Sequence, residues 1–157
     1  MQKITTSFWM ADWIEDAVTF YVSLFKDSRI TDVSRYGDAM PGMKGKVLAM
    51  NFELEGQNYI AINGGPEFPF TEAISLFVSC EDQAEVDHFW TALLADGGKE
   101  SQCGWLKDRF GLSWQIIPKA LPRLIGGPDK AGAQRAMQAM LKMRKIDVAA
   151  LETAYAG

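Results

Sequence analysis

The sequence predicts an α+β fold made of two βαβββ modules that form curved mixed sheets, followed by a helical C-terminal tail. A helix start of the form Asp-x-x-Glu at residues 12–15 recurs at residues 82–85. The apolar motif at residues 20–25 recurs at residues 89–94, and each half reads strand, helix, then three strands. A repeat of about 70 residues is too long for a solenoid, so it indicates two copies of one module.

The length of 157 residues is typical of one domain with a full core. Within that single domain we place the first module at about residues 1–64, the second at about 71–118 and the tail at about 119–157.

The first module begins with a strand rich in Thr and aromatic residues. Asp12 is expected to cap the helix that follows, since Asp accepts from the free N–H groups of a first turn. Gly, Pro and Met between residues 37 and 45 predict a loop, and Glu55 to Asn58 a tight turn. The predicted strands are Lys3–Met10, Arg29–Tyr36, Lys46–Leu54 and Tyr59–Asn63.

The second module repeats this order and ends in a hairpin. Its helix starts at Asp82, and Asp108 to Gly111 reverses the chain between the last two strands. Side chains alternate along a strand, so Ser113, Gln115 and Ile117 share one face and Trp114 lies on the other. The predicted strands are Glu72–Cys80, Lys99–Cys103 and the two arms of Gly104–Pro118.

The sequence of the tail predicts a helix that starts near Pro128 and Asp129. Met137, Met140 and Leu141 lie at helical spacing, which favours a Met stripe packed on the core. The alternative is that this stripe covers a subunit interface, because Met adapts to partner surfaces.

Composition excludes several classes of function. The net charge is −4 with scattered Lys and Arg, which argues against a nucleic-acid or anionic-membrane surface. There is no apolar run of a membrane-spanning length and no signal-peptide pattern. We therefore expect a cytoplasmic protein in which Cys80 and Cys103 are reduced.

The sequence resembles a known superfamily through stretches that span nearly the whole chain. Asp108, Gly111 and Trp114 lead into the last strand of a paired βαβββ fold, as in the vicinal oxygen chelate (glyoxalase, bleomycin-resistance and dioxygenase) superfamily. More narrowly it is similar to the PhnB-like branch, often labelled 3-demethylubiquinone-9 3-methyltransferase domain proteins. The resemblance implies sheets that each cup a cavity, and a homodimer. The stretches are Phe20–Phe25, Asn63–Ser75, Cys80–Asp87, Gly104–Pro118 and Lys145–Asp147.

Active members of that superfamily hold a divalent metal. The resemblance maps their ligand positions onto Ser7 (or Thr5), Asn63, Ser75 and Gln115. These neutral side chains are weak ligands for a transition metal. We expect no tightly bound metal and no other cofactor.

Other catalytic groups are few. The single histidine, His88, falls inside the second helix, where a surface or half-buried role is expected. A carboxylate metal site through Glu53, Glu67 or Glu72 stays open, as does Glu72 acting as a general base with a raised pKa. The methyltransferase label has no matching motif, because a Gly-rich turn between a strand and a helix is missing.

Aromatic residues beside the predicted cups favour a small-molecule site. The predicted function is binding of a small hydrophobic or aromatic molecule without a tightly bound metal, and the acidic balance would suit a cationic or neutral ligand. The alternative is an enzyme of the superfamily that acts on a small molecule. The predicted ligand-binding residues are Ser7, Trp9, Asn63, Phe68, Ser75, Trp105 and Gln115.

Overall fold

A computed structural model describes residues 2–157. The chain divides into two compact units, Met1–Pro69 (unit 1) and Phe70–Gly157 (unit 2). Unit 1 contains a four-stranded sheet in the order β1-β4-β3-β2, with β1 parallel to β4 and the other pairs antiparallel. Its elements are β1 (Thr6–Met10), α1 (Ile14–Leu24), β2 (Arg29–Arg35), a short 3-10 turn (Pro41–Met43), β3 (Val47–Leu54) and β4 (Gln57–Asn63). The predicted βαβββ order of the first half is thereby confirmed.

The unit 1 sheet buries one of its faces. Phe8 is paired in register with Ala61, and Met50 lies opposite Ala61 on β3, so these three side chains share that face. All three are buried, and α1 packs on the sheet through Ala17 and Tyr21. The β3–β4 turn fits the prediction, because Glu55 and Gly56 both take positive φ angles, 47° and 77°.

The predicted cap at Asp12 is wrong. Trp13 occupies the N-cap position of α1, and no side chain caps the helix. The carboxylate of Asp12 instead accepts hydrogen bonds from Lys46 Nζ at 2.7 Å and from Asn63 Nδ2 at 3.1 Å. The Asp12 side chain thus binds two residues distant in sequence and not the first turn of the helix, as the local pattern had predicted.

Unit 2 contains a second four-stranded sheet in the order β5-β8-β7-β6, with β5 parallel to β8. Its first five elements repeat the βαβββ order, with α2 as the crossover, and three helices follow. The elements are β5 (Ser75–Cys80), α2 (Gln83–Leu94), β6 (Lys99–Glu100), β7 (Trp105–Lys107), β8 (Ser113–Pro118), α3 (Ala120–Ile125), α4 (Lys130–Met140) and α5 (Val148–Ala156).

The predicted cap at Asp82 is confirmed. Its carboxylate accepts from Glu85 N at 3.0 Å, while Glu85 Oε2 accepts from the backbone N–H of Glu81 at 2.7 Å. This reciprocal arrangement satisfies two N–H groups at the start of α2.

The predicted reversal at Asp108 to Gly111 is confirmed and has a larger role than a turn alone. Asp108 is buried, and its carboxylate accepts from the backbone N–H groups of Phe110 (2.8 Å) and Leu112 (3.1 Å) and from Trp114 Nε1 (2.9 Å). One side chain therefore fixes the loop and the first core residue of β8.

The tail differs from the predicted Met stripe. Helix α4 buries Gly132, Ala133 and Ala136, whereas Leu141 lies beyond its end and is 59% exposed. Met140 and Met143 pack only at the edge of the tail core. That core contains Ile117, Leu121, Leu124, Ala136, Ile146 and Leu151. Among residues 2–157, no helix has the length and apolar character needed to cross a bilayer.

Candidate functional site

The unit 2 sheet has two chemically different faces. Leu106, Trp114 and Ile116 share the face that is fully buried, and α2 packs against the strands that carry them. The residues between them point to the opposite side, as the alternation along β7 and β8 requires. We call this the Gln115 face; it carries Ser75, Phe77, Lys99, Trp105, Lys107, Ser113 and Gln115.

Strand register arranges these side chains in two rows. In the first row Ser75, Ser113, Lys107 and Lys99 are successive partners across β5, β8, β7 and β6. In the second row Phe77, Gln115 and Trp105 are partners across β5, β8 and β7. Two residues along a strand span about 6.6 Å, so the rows lie roughly that far apart.

The structure brings together three of the predicted site residues in these rows. Gln115 Nε2 donates to Ser75 Oγ at 2.9 Å, which orients the amide. Trp105, the register partner of Gln115, is half-buried. Phe77 on the other side of Gln115 is 59% exposed. A polar amide therefore lies between two aromatic side chains on an accessible sheet face.

Gly104 sets the path of β7 before Trp105. Its φ is 83°, and a Cβ there would meet Ile117 Cδ1 at 2.8 Å and Ile116 O at 3.0 Å. Cys103 before it also has a positive φ of 57°, and β6 ends at Glu100, earlier than the predicted Cys103. Only glycine allows the chain to approach β8 this closely at such a φ.

A depression of about 230 Å³ lies beside Trp105. It is lined by Glu72, Lys99, Glu100, Ser101, Trp105, Leu106, Lys107 and Ser113. The Ser113 side chain is buried, and its Oγ has no hydrogen-bond partner among the described residues.

Glu72 does not have the raised pKa that its predicted role as a general base requires. Lys107 Nζ lies 2.6 Å from Glu72 Oε1, and this hydrogen bond, with a smaller contribution from the Glu72 backbone, lowers the pKa of the carboxyl group. A lower pKa makes the carboxylate a weaker base. Glu72 lies before β5, not inside the strand that was predicted to begin there, and its side chain is 64% exposed.

In unit 1 the structure places Trp9 and Phe68 together. Their rings meet edge to face with centroids 5.0 Å apart, and Trp9 Nε1 donates to Gly65 O at 2.8 Å. Ser7 lies two residues before Trp9 on the same face of β1 and is exposed. The ring of Trp9 lies where a Cβ on Gly64 would be, so this glycine is needed for the arrangement.

Asn63, which was also predicted as a ligand-binding residue, does not lie with them. It is the register partner of Met10, so it points to the buried face of unit 1, and it is only 2% exposed. Its Nδ2 donates to Asp12 Oδ1 and to Val47 O, both at 3.1 Å. Both neighbours are acceptors, which fixes the amide orientation and leaves Oδ1 without a partner among residues 2–157.

Comparison with protein families identifies the group to which these units belong. Residues 2–117, which include β1 to β7 and all of β8 but its last residue, match the model described as 3-demethylubiquinone-9 3-methyltransferase. The chain belongs to this family. The comparison with curated proteins found no match.

One solved structure agrees with the family assignment, and more distant ones also match. The PhnB protein from Bacillus cereus is 37% identical with a TM-score of 0.68, over 74% of this chain and 99% of its own. A protein from Pseudomonas aeruginosa shares the fold at 18% identity and a TM-score of 0.61, over 75% of this chain and 98% of its own. A glyoxylase/bleomycin resistance protein/dioxygenase domain from Frankia sp. EAN1pec matches at 13% identity and a TM-score of 0.47, over 75% of this chain and 92% of its own.

The described fold differs from that of a class I methyltransferase, although the family's description names methyl transfer. Class I methyltransferases bind their cofactor at a doubly wound parallel sheet. The two sheets within residues 2–157 are four-stranded and mixed, with one parallel pair each.

The metal implied by the superfamily resemblance does not fit these residues. Ser75 and Gln115 are adjacent in unit 2 but hydrogen-bond to each other, and both are neutral. In unit 1, Ser7 and Asn63 lie on opposite faces of the sheet. Across the described part of the chain, no three His, Cys, Asp or Glu side chains converge on a point, and Glu53 pairs instead with Arg29 at 3.1 Å.

The sequence interpretation missed four residues of the Gln115 face: Phe77, Lys99, Lys107 and Ser113. For Ser113 the signal was present, since alternation already put it on the same face as Gln115. For Phe77 and the two lysines the signal would have been the pairing register of β5, β7 and β6, which only tertiary structure supplies.

Proposed function

We propose that the protein binds a small hydrophobic or aromatic molecule on the Gln115 face, without a tightly bound metal. The observation that carries this proposal is the second row, in which Gln115 lies between Trp105 and Phe77. Aromatic walls with few directed polar groups are typical of small-molecule sites.

The polar group in this row is the Gln115 amide, which Ser75 orients for contact with a ligand. Hydrogen bonding to Ser75 uses one N–H of the Gln115 amide, while its Oε1 accepts from none of the described residues. A ring on Trp105 or Phe77 would place its substituents against that oxygen and the remaining N–H.

Trp9 and Phe68, with Ser7, form a second candidate aromatic surface on unit 1, and we propose it as a subsidiary contact. Phe68 is 65% exposed, and its contact with Trp9 leaves part of the ring accessible. The edge-to-face pair gives this surface a defined shape.

A binding screen tests the proposal. Protein dialysed against a chelator would be screened by NMR against single-ring aromatic compounds, comparing the wild type with Trp105→Ala, Gln115→Ala and Trp9→Ala. Loss of binding in the first two variants supports the Gln115 face, whereas loss in Trp9→Ala alone assigns binding to unit 1. Unchanged affinity in all three would contradict both assignments. One zinc, iron or nickel per chain in purified protein would contradict metal independence.

A homodimer and a cytoplasmic location remain predictions. Analytical ultracentrifugation of the purified chain tests the first, and fractionation of cells that produce it tests the second.

A further inference from the structure

The first row of the Gln115 face contains two lysines, although the net charge of the chain is −4. Lys99 and Lys107 are register partners on β6 and β7 and point to the same side. Like charges directly opposite each other on a sheet destabilise it, because their Cβ atoms lie only about 4.5–5.5 Å apart. Lys99 has no ion pair among the described residues.

The third member of the row supplies an unused hydrogen bond donor. Ser113 is the register partner of Lys107, lines the depression, and is 1% exposed. A buried hydroxyl without a partner carries a desolvation cost that a ligand acceptor would offset. Two lysines and one serine thus line the same depression.

We propose that Lys99, Lys107 and Ser113 bind the carboxylate of a small aromatic ligand whose ring lies on Trp105. This inference rests on the proposed function, and it names the chemical class of the ligand. The row separation of about 6.6 Å suits a ring with a short carboxylate-bearing substituent. The depression of about 230 Å³ is below the range of roughly 300–1,000 Å³ usual for drug-sized ligands, which fits a single ring.

The two acidic side chains beside the depression are compatible with this assignment. Glu100 is occupied, since it accepts from Trp90 Nε1 at 3.1 Å and pairs with Arg144 at 3.5 Å. Glu72 pairs with Lys107, but its side chain is mostly exposed and loses little by returning to water. Glu72 is therefore an internal competitor that an entering carboxylate displaces from Lys107.

Three matched probes separate charge from shape: phenylacetate, its neutral amide 2-phenylacetamide, and the cationic 2-phenylethylamine. NMR titration of the full chain should give phenylacetate roughly tenfold or more tighter binding than the amide, the scale of a charge-assisted hydrogen bond. Higher salt should reduce this preference, because the lysines are partly exposed.

Variants then assign the preference to residues. Lys99→Met and Ser113→Ala should each weaken phenylacetate binding with little effect on the amide, and Lys99→Glu should favour the amine. Glu72→Gln should strengthen phenylacetate binding by removing the competitor. Lys119→Met is the matched control, because Lys119 is an exposed lysine of unit 2 that pairs with Glu81 away from the depression.

The outcomes separate the two proposals. Equal binding of all three probes, or preference for the amine by the wild type, would overturn the carboxylate inference and leave small-molecule binding intact. Binding of no probe would overturn both. A loss of preference in Lys119→Met equal to that in Lys99→Met would also overturn the assignment, because it would show that net charge alone decides.

Discussion

Replacing Asp108 by Asn should separate the role of its charge from that of its shape. The carboxylate is 3% exposed and accepts hydrogen bonds from two backbone N–H groups and from Trp114 Nε1. Asn keeps one accepting oxygen for the backbone but turns an NH2 group toward the indole N–H. Two donors then face each other in a buried site.

The expected cost follows from these contacts. Loss of a hydrogen bond to a charged acceptor costs about 1.5–3 kcal/mol, and an unsatisfied buried donor costs about 1–3 kcal/mol. We expect Asp108→Asn to lower the free energy of unfolding by about 3–5 kcal/mol. That is a large share of the roughly 5–15 kcal/mol that stabilises a typical domain.

A double-mutant cycle measures the part due to the indole. Urea unfolding of the wild type, Asp108→Asn, Trp114→Phe and the double variant would be followed by far-UV circular dichroism and by tryptophan fluorescence, with equal midpoints required. Trp114→Phe removes the donor, so the cost of Asp108→Asn should be smaller in that background. The coupling energy should be about 1.5–3 kcal/mol.

Additive effects would refute the reasoning. If the two substitutions add within about 0.5 kcal/mol, the bond from Trp114 to Asp108 contributes nothing beyond the separate residues. The loop amides alone would then account for the cost at Asp108.

Three further predictions concern other parts of the fold. Gly104→Ala should lower the free energy of unfolding by clearly more than Gly111→Ala. Both glycines have positive φ angles, which cost an alanine about 1–2 kcal/mol, but only at Gly104 do atoms of β8 lie in the way of a Cβ. Equal losses of stability in urea unfolding would contradict this. Burial, with Glu85 and Asp82 nearby, raises the pKa of the Cys80 thiol to about 12. Iodoacetamide at pH 8 should therefore label Cys103 well before Cys80. Equal labelling rates by mass spectrometry would count against this prediction. Asn63→Asp should destabilise unit 1 by at least about 3 kcal/mol, since a carboxylate would replace the amide that donates to two acceptors, and an unchanged thermal midpoint would disprove that.

The parts of the fold that sequence reasoning predicted depend on local contacts. Asp82 caps α2 through a residue three positions away, and Asp108 and Gly111 close a loop between neighbouring strands. Asp12 has the same pattern as Asp82, yet its carboxylate binds Lys46, 34 positions along the chain. A local signal fails where partners distant in sequence bind the same side chain.

The tail illustrates a second limit. Spacing alone favoured the methionines of α4 as its buried face, but the helix contacts α5 through Gly132, Ala133 and Ala136. A Cβ on Gly132 would lie 2.7 Å from Tyr155 O, so close approach of the two helices selects small residues. Hydrophobic size predicts burial only where helices pack at ordinary distance.

At the proposed carboxylate site, the local charges differ from the overall charge of the chain. The net charge of −4 favoured a cationic or neutral molecule, yet many acidic side chains are already paired on other surfaces, such as Asp87 with Lys145 and Glu81 with Lys119. Register on β6 and β7 instead sets Lys99 and Lys107 side by side, next to the buried hydroxyl of Ser113. A ligand responds to the groups within a few ångströms, because charges farther away are screened over about 8–10 Å of salt solution. The proposal of an anionic ligand therefore rests on these neighbours of Gln115 and not on the net charge of the chain.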